Sequence, residues 1–333
     1  MSRKSVLVTG GAGYIGSHVV YSLLTAGYAI TVLDNLSTGR RELLPREVEF
    51  IEGNAGDQRL VTDLSRNNEI SAVLHFAGSI VAPESVRSPL RYYENNTSVS
   101  RNLLSACTEA DIQTFIFSSS ALVYGEPLTL PLKESSPTTP TTPYGRTKLM
   151  TEWMLEDTSS ATGLQYAALR YFNVGGADPA GRTGQCSPNA THLLKIAGEV
   201  VTGKKSGIVI NGDDYDTPDG TCVRDYIHVS DLADAHVEIL KLLEKTGENQ
   251  IINCGYGRGS SVREVVAEVE RVTGKSLGAT VGPRRPGDPA TLVSDITQLK
   301  NKTNWSPKQD TLAKIISTAL AWEESMANIL KTP

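Results

Sequence analysis

Thr9-Gly10-Gly11-Ala12-Gly13-Tyr14-Ile15-Gly16 follows at once on the apolar run Ser5-Val6-Leu7-Val8 and leads into a stretch, Tyr14 to Ala26, with the apolar spacing of a helix. Glycines at 10, 13 and 16 permit a tight turn and a close helix–strand approach that side chains would obstruct. The chain therefore opens with a strand, a glycine turn and a helix, the first unit of an α/β fold.

The alternation continues. Val6 to Val8, Ile30 to Leu33, Val48 to Ile51, Ala72 to Phe76 and Thr114 to Phe117 read as strands bounded by Gly, Asp, Asn or Ser. Tyr14 to Ala26, Gln58 to Asn67 and about Leu90 to Glu109 read as the helices between them, and a helix from Tyr144 to about Thr158 precedes a strand from Leu164 to Leu169. This pattern predicts a Rossmann-type doubly wound parallel sheet covered on both faces. From about Phe172 to Val223 the chain turns rich in Gly, Pro, Asp and Asn, as expected of loops and short elements in a smaller C-terminal α/β region. Helical patterns return at Val229 to Glu244, Val262 to Thr273 and Leu312 to Met326, with a strand-like Gln250 to Cys254 among them.

Composition excludes several classes. The 333 residues are 39% hydrophobic and 21% charged, with a net charge of −5 and no basic run interleaved with aromatics, so nucleic acid is not an expected partner. No apolar stretch approaches the ~18 residues of a membrane span, and the first apolar run is too short for a secretion signal. Cys107, Cys186, Cys222 and Cys254 lie far apart without a C-x-x-C spacing, which fits reduced thiols in a cytoplasmic protein. The five histidines show no metal-ligand spacing, so no metal is expected.

The glycine turn has a chemistry of its own. Backbone N–H groups at a helix N-terminus favour an anion, and glycines let a pyrophosphate come close to them. Asp34 ends the second strand, where a carboxylate can accept both ribose hydroxyls of an adenosine and repel a 2′-phosphate, so NAD is expected rather than NADP. Arg40 and Arg41 are taken as solvated loop charges. Ala77-Gly78, closing the fourth strand, lets the backbone pass close to a cofactor.

A second constellation lies about one domain's length further on. Tyr144 and Lys148 in Tyr-Gly-Arg-Thr-Lys share one face of a helix. A phenol is a poor base at neutral pH unless a nearby cation favours its phenolate, and Lys148 supplies one. Ser118-Ser119-Ser120 ends a buried-looking strand, and the carboxyl ends of strands in an open α/β sheet face the ligand crevice. At least one of the three hydroxyls is expected to serve local structure instead.

With these residues the chain resembles the extended short-chain dehydrogenase/reductase superfamily and, within it, the UDP-glucose 4-epimerases. The matching segments are the glycine run from Val8, Asp34-Asn35-Leu36, His75-Phe76-Ala77-Gly78, Phe-Ser-Ser-Ser-Ala from Phe117, Val123-Tyr124-Gly125 and Pro143-Tyr144-Gly145. Arg170-Tyr171-Phe172-Asn173, Asp-Gly-Thr-Cys-Val-Arg-Asp-Tyr-Ile-His-Val from Asp219, and Pro283-Arg284-Arg285-Pro286-Gly287-Asp288 follow, in family order over nearly the whole chain. The Arg224-Asp225-Tyr226-Ile227-His228-Val229 block with Arg170-Tyr171-Phe172-Asn173 is the more specific. The resemblance implies reversible inversion at C4 of a UDP-sugar (UDP-glucose/UDP-galactose) through a 4-keto intermediate, with tightly held NAD. Tyr144 would be the base, Lys148 its activator and a ligand of the nicotinamide ribose, and Ser120 the partner of the reacting oxygen.

By the same matching, Gly10, Gly13, Tyr14, Ile15, Gly16, Asp34, Asn35, Asn54, Phe76, Ala77, Gly78, Asn96, Ser118 and Tyr171, with Tyr144 and Lys148, belong to the cofactor site. Arg224 and Arg285 correspond to the cations gripping the diphosphate, and Phe172, Asn173, Asp288 and Leu292 to further substrate contacts, beside Ser120 and Tyr144. Residues 1–172 form the expected NAD-binding domain, to which the chain returns at about 228–256, and 173–227 with 257–333 the nucleotide-sugar-binding region. A homodimer through the helices near Leu90 to Glu109 and Tyr144 to Thr158 is implied as well.

Departures stand beside the matches. Ile80 occupies a position where many members have lysine, Asn54 one that is usually acidic, and Leu292 a position that gates room for bulky sugar substituents. Cys186 to Leu194, with Asn189 and His192, aligns poorly. UDP-xylose/UDP-arabinose and UDP-GlcNAc/UDP-GalNAc remain alternative substrates, and reduction or dehydration of a nucleotide sugar an alternative reaction. The serine triplet argues against dehydration. A nucleotide-sensing protein without catalysis is a further alternative, against which the retained tyrosine and lysine weigh.

Overall fold

A computed structural model describes residues 4–187, 191–285 and 287–329. The first half contains β1 (Ser5–Thr9), α1 (Tyr14–Thr25), β2 (Ala29–Asp34), β3 (Glu49–Glu52), α2 (Gln58–Asn67), β4 (Ile70–His75), α3 (Ala82–Arg87), α4 (Pro89–Tyr92), α5 (Val99–Glu109), β5 (Thr114–Ser120), α6 (Pro143–Thr162) and β6 (Gln165–Tyr171). Then come β7 (Asn173–Gly175), α7 (Leu193–Val201), β8 (Val209–Asn211), β9 (Val223–His228), α8 (Val229–Thr246) and β10 (Gln250–Cys254). The chain continues through β11 (Gly259–Ser261), α9 (Val262–Thr273), β12 (Thr280–Gly282), β13 (Thr291–Leu292), α10 (Thr297–Lys302) and α11 (Leu312–Ile329).

Seven strands form one parallel sheet in the order β10-β6-β5-β4-β1-β2-β3, a Rossmann-type arrangement. Alternate side chains of each strand enter opposite layers, as the period of two requires. Val6 and Val8 pack with Val19, Val20 and Leu23 of α1 and Leu232, Leu240 and Leu243 of α8. Leu7, between them, joins Val61 of α2, Leu103 and Leu104 of α5 and Leu155 of α6 on the other face. Burial on both faces explains why these strands read as continuous apolar runs. Smaller sheets, β11-β9-β13 with β7 on β9, and β12-β8, carry the later segments.

Strand order reverses between β1 and β4, so the turns after these two strands diverge to opposite faces and leave a crevice at their carboxyl ends. The glycine turn and Phe76-Ala77-Gly78 stand on its two sides.

The expected single helix from Leu90 to Glu109 is interrupted. Residues 93–98 adopt wide π-type turns between α4 and α5. Asn96 lies there, nearly buried, and its Oδ1 accepts the Ser79 amide at 2.7 Å while Nδ2 donates to the Ser79 carbonyl at 3.0 Å and to Thr147 at 3.1 Å. Such turns recur at functional sites because they re-aim one side chain. Here they brace the loop after β4 against α6.

Candidate active site

The cradle begins at Gly10, with φ +70°. A Cβ there would stand 2.4 Å from the Ala77 nitrogen, and one on Gly16 would stand 2.4 Å from the Gly10 oxygen. Turn, helix and β4 loop thus approach so closely that only hydrogen fits. Asp34 Oδ2 accepts the Ala12 amide at 3.0 Å and Oδ1 the Leu36 amide at 2.8 Å. Burial nonetheless holds its carboxyl above the usual range, with those two bonds opposing. The Tyr14 hydroxyl donates to the Gly176 carbonyl at 2.6 Å, so its side chain tethers α1 to the segment after β7, while the Ile15 side chain packs against the core. Asn35 and Asn54 are exposed and accept from the amides two residues on, Ser37 and Gly56. These parts fit a dinucleotide: glycine backbone at a helix N-terminus for the pyrophosphate and a carboxylate at the end of β2 for a ribose.

The candidate reacting group, Tyr144, stands at the head of α6. Thr142 caps that helix, its hydroxyl accepting the Gly145 amide at 3.2 Å, and Pro143 occupies the first turn, where no N–H is needed. Burial pushes the Tyr144 phenol up to about 12, opposed by a hydrogen bond with the Ser120 hydroxyl. Lys148, one turn on and 4% exposed, donates from Nζ to the Ser118 carbonyl at 2.7 Å and lies 4.8 Å from the Phe117 ring centre and 5.8 Å from that of Tyr144. Burial lowers its ammonium to about 8, and Glu152 opposes the shift. At neutral pH the lysine is therefore still mostly charged, the state that favours a phenolate. Tyr144, Lys148, Ser118 and Ser120 converge; Ser119 does not, for its hydroxyl turns to the other face and donates to Glu152 at 2.5 Å.

Tyr171 ends β6 beside this group. Its hydroxyl donates to Nε2 of His236 on α8, whose Nδ1 donates to the Leu232 carbonyl at 2.8 Å, and Phe76 packs on the same imidazole with ring centres 5.1 Å apart. His236 had no special reading in the sequence, and neither had Glu152.

The second group comes from the smaller sheets. Arg224 on β9 donates to the Val223 and Ala290 carbonyls and pairs with Asp288 at 3.3 Å. Asp225, fully buried, accepts the Tyr256 and Gly257 amides at 2.8 and 2.9 Å and the Ser294 amide at 3.2 Å, which fixes β9 against β13. Arg285 is partly buried in the loop after β12, and the Thr141 hydroxyl donates to the Gly287 carbonyl at 3.4 Å, so this loop abuts the residue before the α6 cap. Asn173 is exposed on β7. Phe172 and Leu292 are buried together with Leu132, Leu149 and Tyr124, so Leu292 backs Phe172 within an apolar cluster. His192 heads α7 at an exposed position, and Asn189 lies outside the described residues.

The sequence profile of the NAD dependent epimerase/dehydratase family matches residues 6–255, from β1 past β10. The chain belongs to this family. It is similar to a UDP-glucose 4-epimerase of Azospirillum brasilense, 54% identical over 321 residues, covering 96% of this chain and 92% of the relative. Among solved structures it resembles UDP-glucose 4-epimerase from Brucella ovis in complex with NAD (TM-score 0.92, 44% identity, 96% and 98% of the two chains). It also resembles that from Stenotrophomonas maltophila with bound NAD and formylated UDP-arabinopyranose (TM-score 0.94, 36% identity, 98% and 100%). Within the family frame, Ile80 is an exposed apolar residue on the loop that Asn96 braces. No helix among the described residues is long and apolar enough to cross a membrane.

Proposed function

We propose that the protein is a UDP-glucose 4-epimerase, inverting C4 of UDP-glucose and UDP-galactose reversibly through a 4-keto sugar. The observation that carries the reading is the convergence of Tyr144, Lys148 and Ser120 at the carboxyl ends of parallel strands, beside a glycine cradle that excludes even a methyl group. The cradle, Asp34 and the Phe76-Ala77-Gly78 turn would hold NAD, which would supply reversible hydride transfer when bound. The Tyr144 oxygen removes the C4 hydroxyl proton and returns it after the sugar has turned over. Lys148 keeps the phenolate accessible by its charge, and Ser120 holds the reacting oxygen in line by a hydrogen bond.

A sugar that must present both faces to one tyrosine cannot be gripped tightly itself. Arg224 and Arg285 suit the diphosphate instead, as guanidinium forks donate to it in two-point contact, and Asp288 and Asn173 offer polar groups nearby. We divide the chain into an NAD-binding part, 1–172 with 228–256, and a nucleotide-sugar part, 173–227 with 257–333. The four cysteines are free thiols, which supports a cytoplasmic setting. Leu90 is 80% and Trp153 54% exposed on the α4 and α6 elements, which supports a homodimer through that face; light scattering of the purified protein tests it.

The deciding experiment is conversion of UDP-galactose with no NAD added, followed by identification of the nucleotide released on denaturation. Turnover with stoichiometric NAD release is expected. No UDP-glucose formed by a folded, NAD-loaded protein would reject the reading.

A further inference from the structure

A carboxylate is buried one helical turn beyond Lys148. Glu152 and Arg170 are each 4% exposed and joined by two contacts, 3.0 Å from Nε to Oε1 and 2.6 Å from the second nitrogen to Oε2. Ser119, which sits directly opposite Arg170 in the β5–β6 ladder, donates to the same Oε1 at 2.5 Å. The remaining arm of Arg170 reaches the Tyr124 hydroxyl at 3.0 Å and the Glu134 carbonyl at 3.1 Å. Adjacent strands therefore clamp α6 through a single carboxylate, below the turn that carries Tyr144 and Lys148.

We propose that Glu152 is a positioning residue for the reaction, holding Lys148 as an ammonium and fixing the depth at which α6 presents Tyr144 to Ser120. The proposal rests on the reading of Tyr144 as the base. Its physical reason is that, among the described residues, Lys148 is enclosed by groups that offer no other negative charge. On its own helix it faces the Tyr144 ring and, one turn on, the Glu152 carboxylate, whose charge acts on it through space; on β5 it meets the Phe117 ring and the Ser118 carbonyl. On β4 it meets His75, neutral because burial and Lys148 itself hold it near 3. The π-type segment contributes Asn96, hydrogen-bonded to Thr147, and β6 contributes Arg170 and Tyr166, both beside Glu152. The Ser118 carbonyl and the two rings also favour the ammonium, but only Glu152 brings a full negative charge, from the lysine's own helix face.

Purified protein with bound cofactor is assayed for UDP-galactose conversion across pH as parent, Glu152→Gln, Glu152→Asp and the double variant Glu152→Gln/Arg170→Met, with thermal melts of each. The double variant leaves no unpaired buried charge, so it keeps the test usable where Glu152→Gln alone fails to fold. Expected in Glu152→Gln is a fall in kcat of ~10-fold or more at neutral pH with KM little changed, and a rising pH limb displaced upward by about one unit, since less ammonium leaves the phenol weaker as an acid. Glu152→Asp restores part of both, and the double variant shifts in the same direction. A lowered melting temperature with an unmoved pH profile in the folded variants would overturn the proposal. Tyr144→Phe, run alongside, separates the two readings: an active Tyr144→Phe removes the base itself, whereas an inactive one with an unshifted Glu152→Gln removes only the role of Glu152.

Discussion

Lys148 donates from Nζ to the main-chain oxygen of Ser118 at 2.7 Å, which ties the ammonium to the end of β5. The charge therefore stays within reach of the Tyr144 ring while two N–H donors remain for other partners. Tyr144→Phe keeps the ring that meets Tyr92 edge-on and removes only the acidic oxygen. Its kcat should fall ~10²- to 10⁴-fold, with a melting temperature close to that of the parent. A variant retaining a tenth or more of the parental rate would show that another group takes the proton.

Gly10 and Gly163 both have positive φ, but only Gly10 is enclosed, since no atom lies within 4 Å of a Cβ built on Gly163. Gly163→Ala should cost about 1 kcal/mol of stability and leave the cofactor in place. Gly10→Ala would force the turn and Ala77 apart, so the purified protein should be depleted of NAD. Equal nucleotide content in the two variants, measured after denaturation, would contradict the cradle.

Arg224 points its fork at the Asp288 carboxylate and at two carbonyls, partners that a diphosphate would replace under the proposed role. Arg224→Lys keeps the charge but loses the two-point geometry. The expected result is a KM for UDP-galactose raised ~10-fold or more, with kcat changed much less, because binding to the unreacting end is lost equally from ground and transition states. A fall confined to kcat would place Arg224 at the reacting centre.

Four histidines are buried as neutral rings. Burial pushes His18, His228 and His236 down to about 4 and His75 to about 3. The unfolded chain takes up their protons near the ordinary value of 6.5. Their contribution to stability is thus complete above that pH and is lost as pH falls toward the folded values, by ~1.4 kcal/mol per proton per pH unit. Melts between pH 7.5 and 5 should show a falling midpoint, and His236→Gln should flatten the slope. A midpoint independent of pH in that range would mean these rings are accessible to protons in the folded state.

Six of the seven strands of the main sheet were legible because burial on both faces leaves an apolar run that no other element of that length needs; β3, at the sheet edge with Glu49 and Glu52 exposed, showed only the short apolar core Phe50-Ile51. The shorter pieces were not. β8, β12 and β13 have two or three residues each, too few for a period, and β9 hides its strand character behind Arg224 and Asp225, whose polar groups find individual partners only in the fold. The break at residues 93–98 depends on Asn96 reaching Ser79, a contact between separate elements. At the site, Tyr144 and Lys148 could be paired from spacing on one helix, and Ser118 and Ser120 from their place at a strand end. Glu152 carried one local signal, its position one turn beyond Lys148, but its clamp requires Arg170 and Ser119 to meet across two strands.

The loop bearing Arg285 and Asp288 rests against Thr141, next to the residue that caps the Tyr144 helix. If that loop grips the diphosphate, the contact acts as a measuring rod between the anchored end of the substrate and the proton acceptor. A hexose swinging about its phosphate link would then find C4 at the same reach in either orientation, whichever face it shows. Lengthening the loop by one residue should affect both directions of the reaction alike.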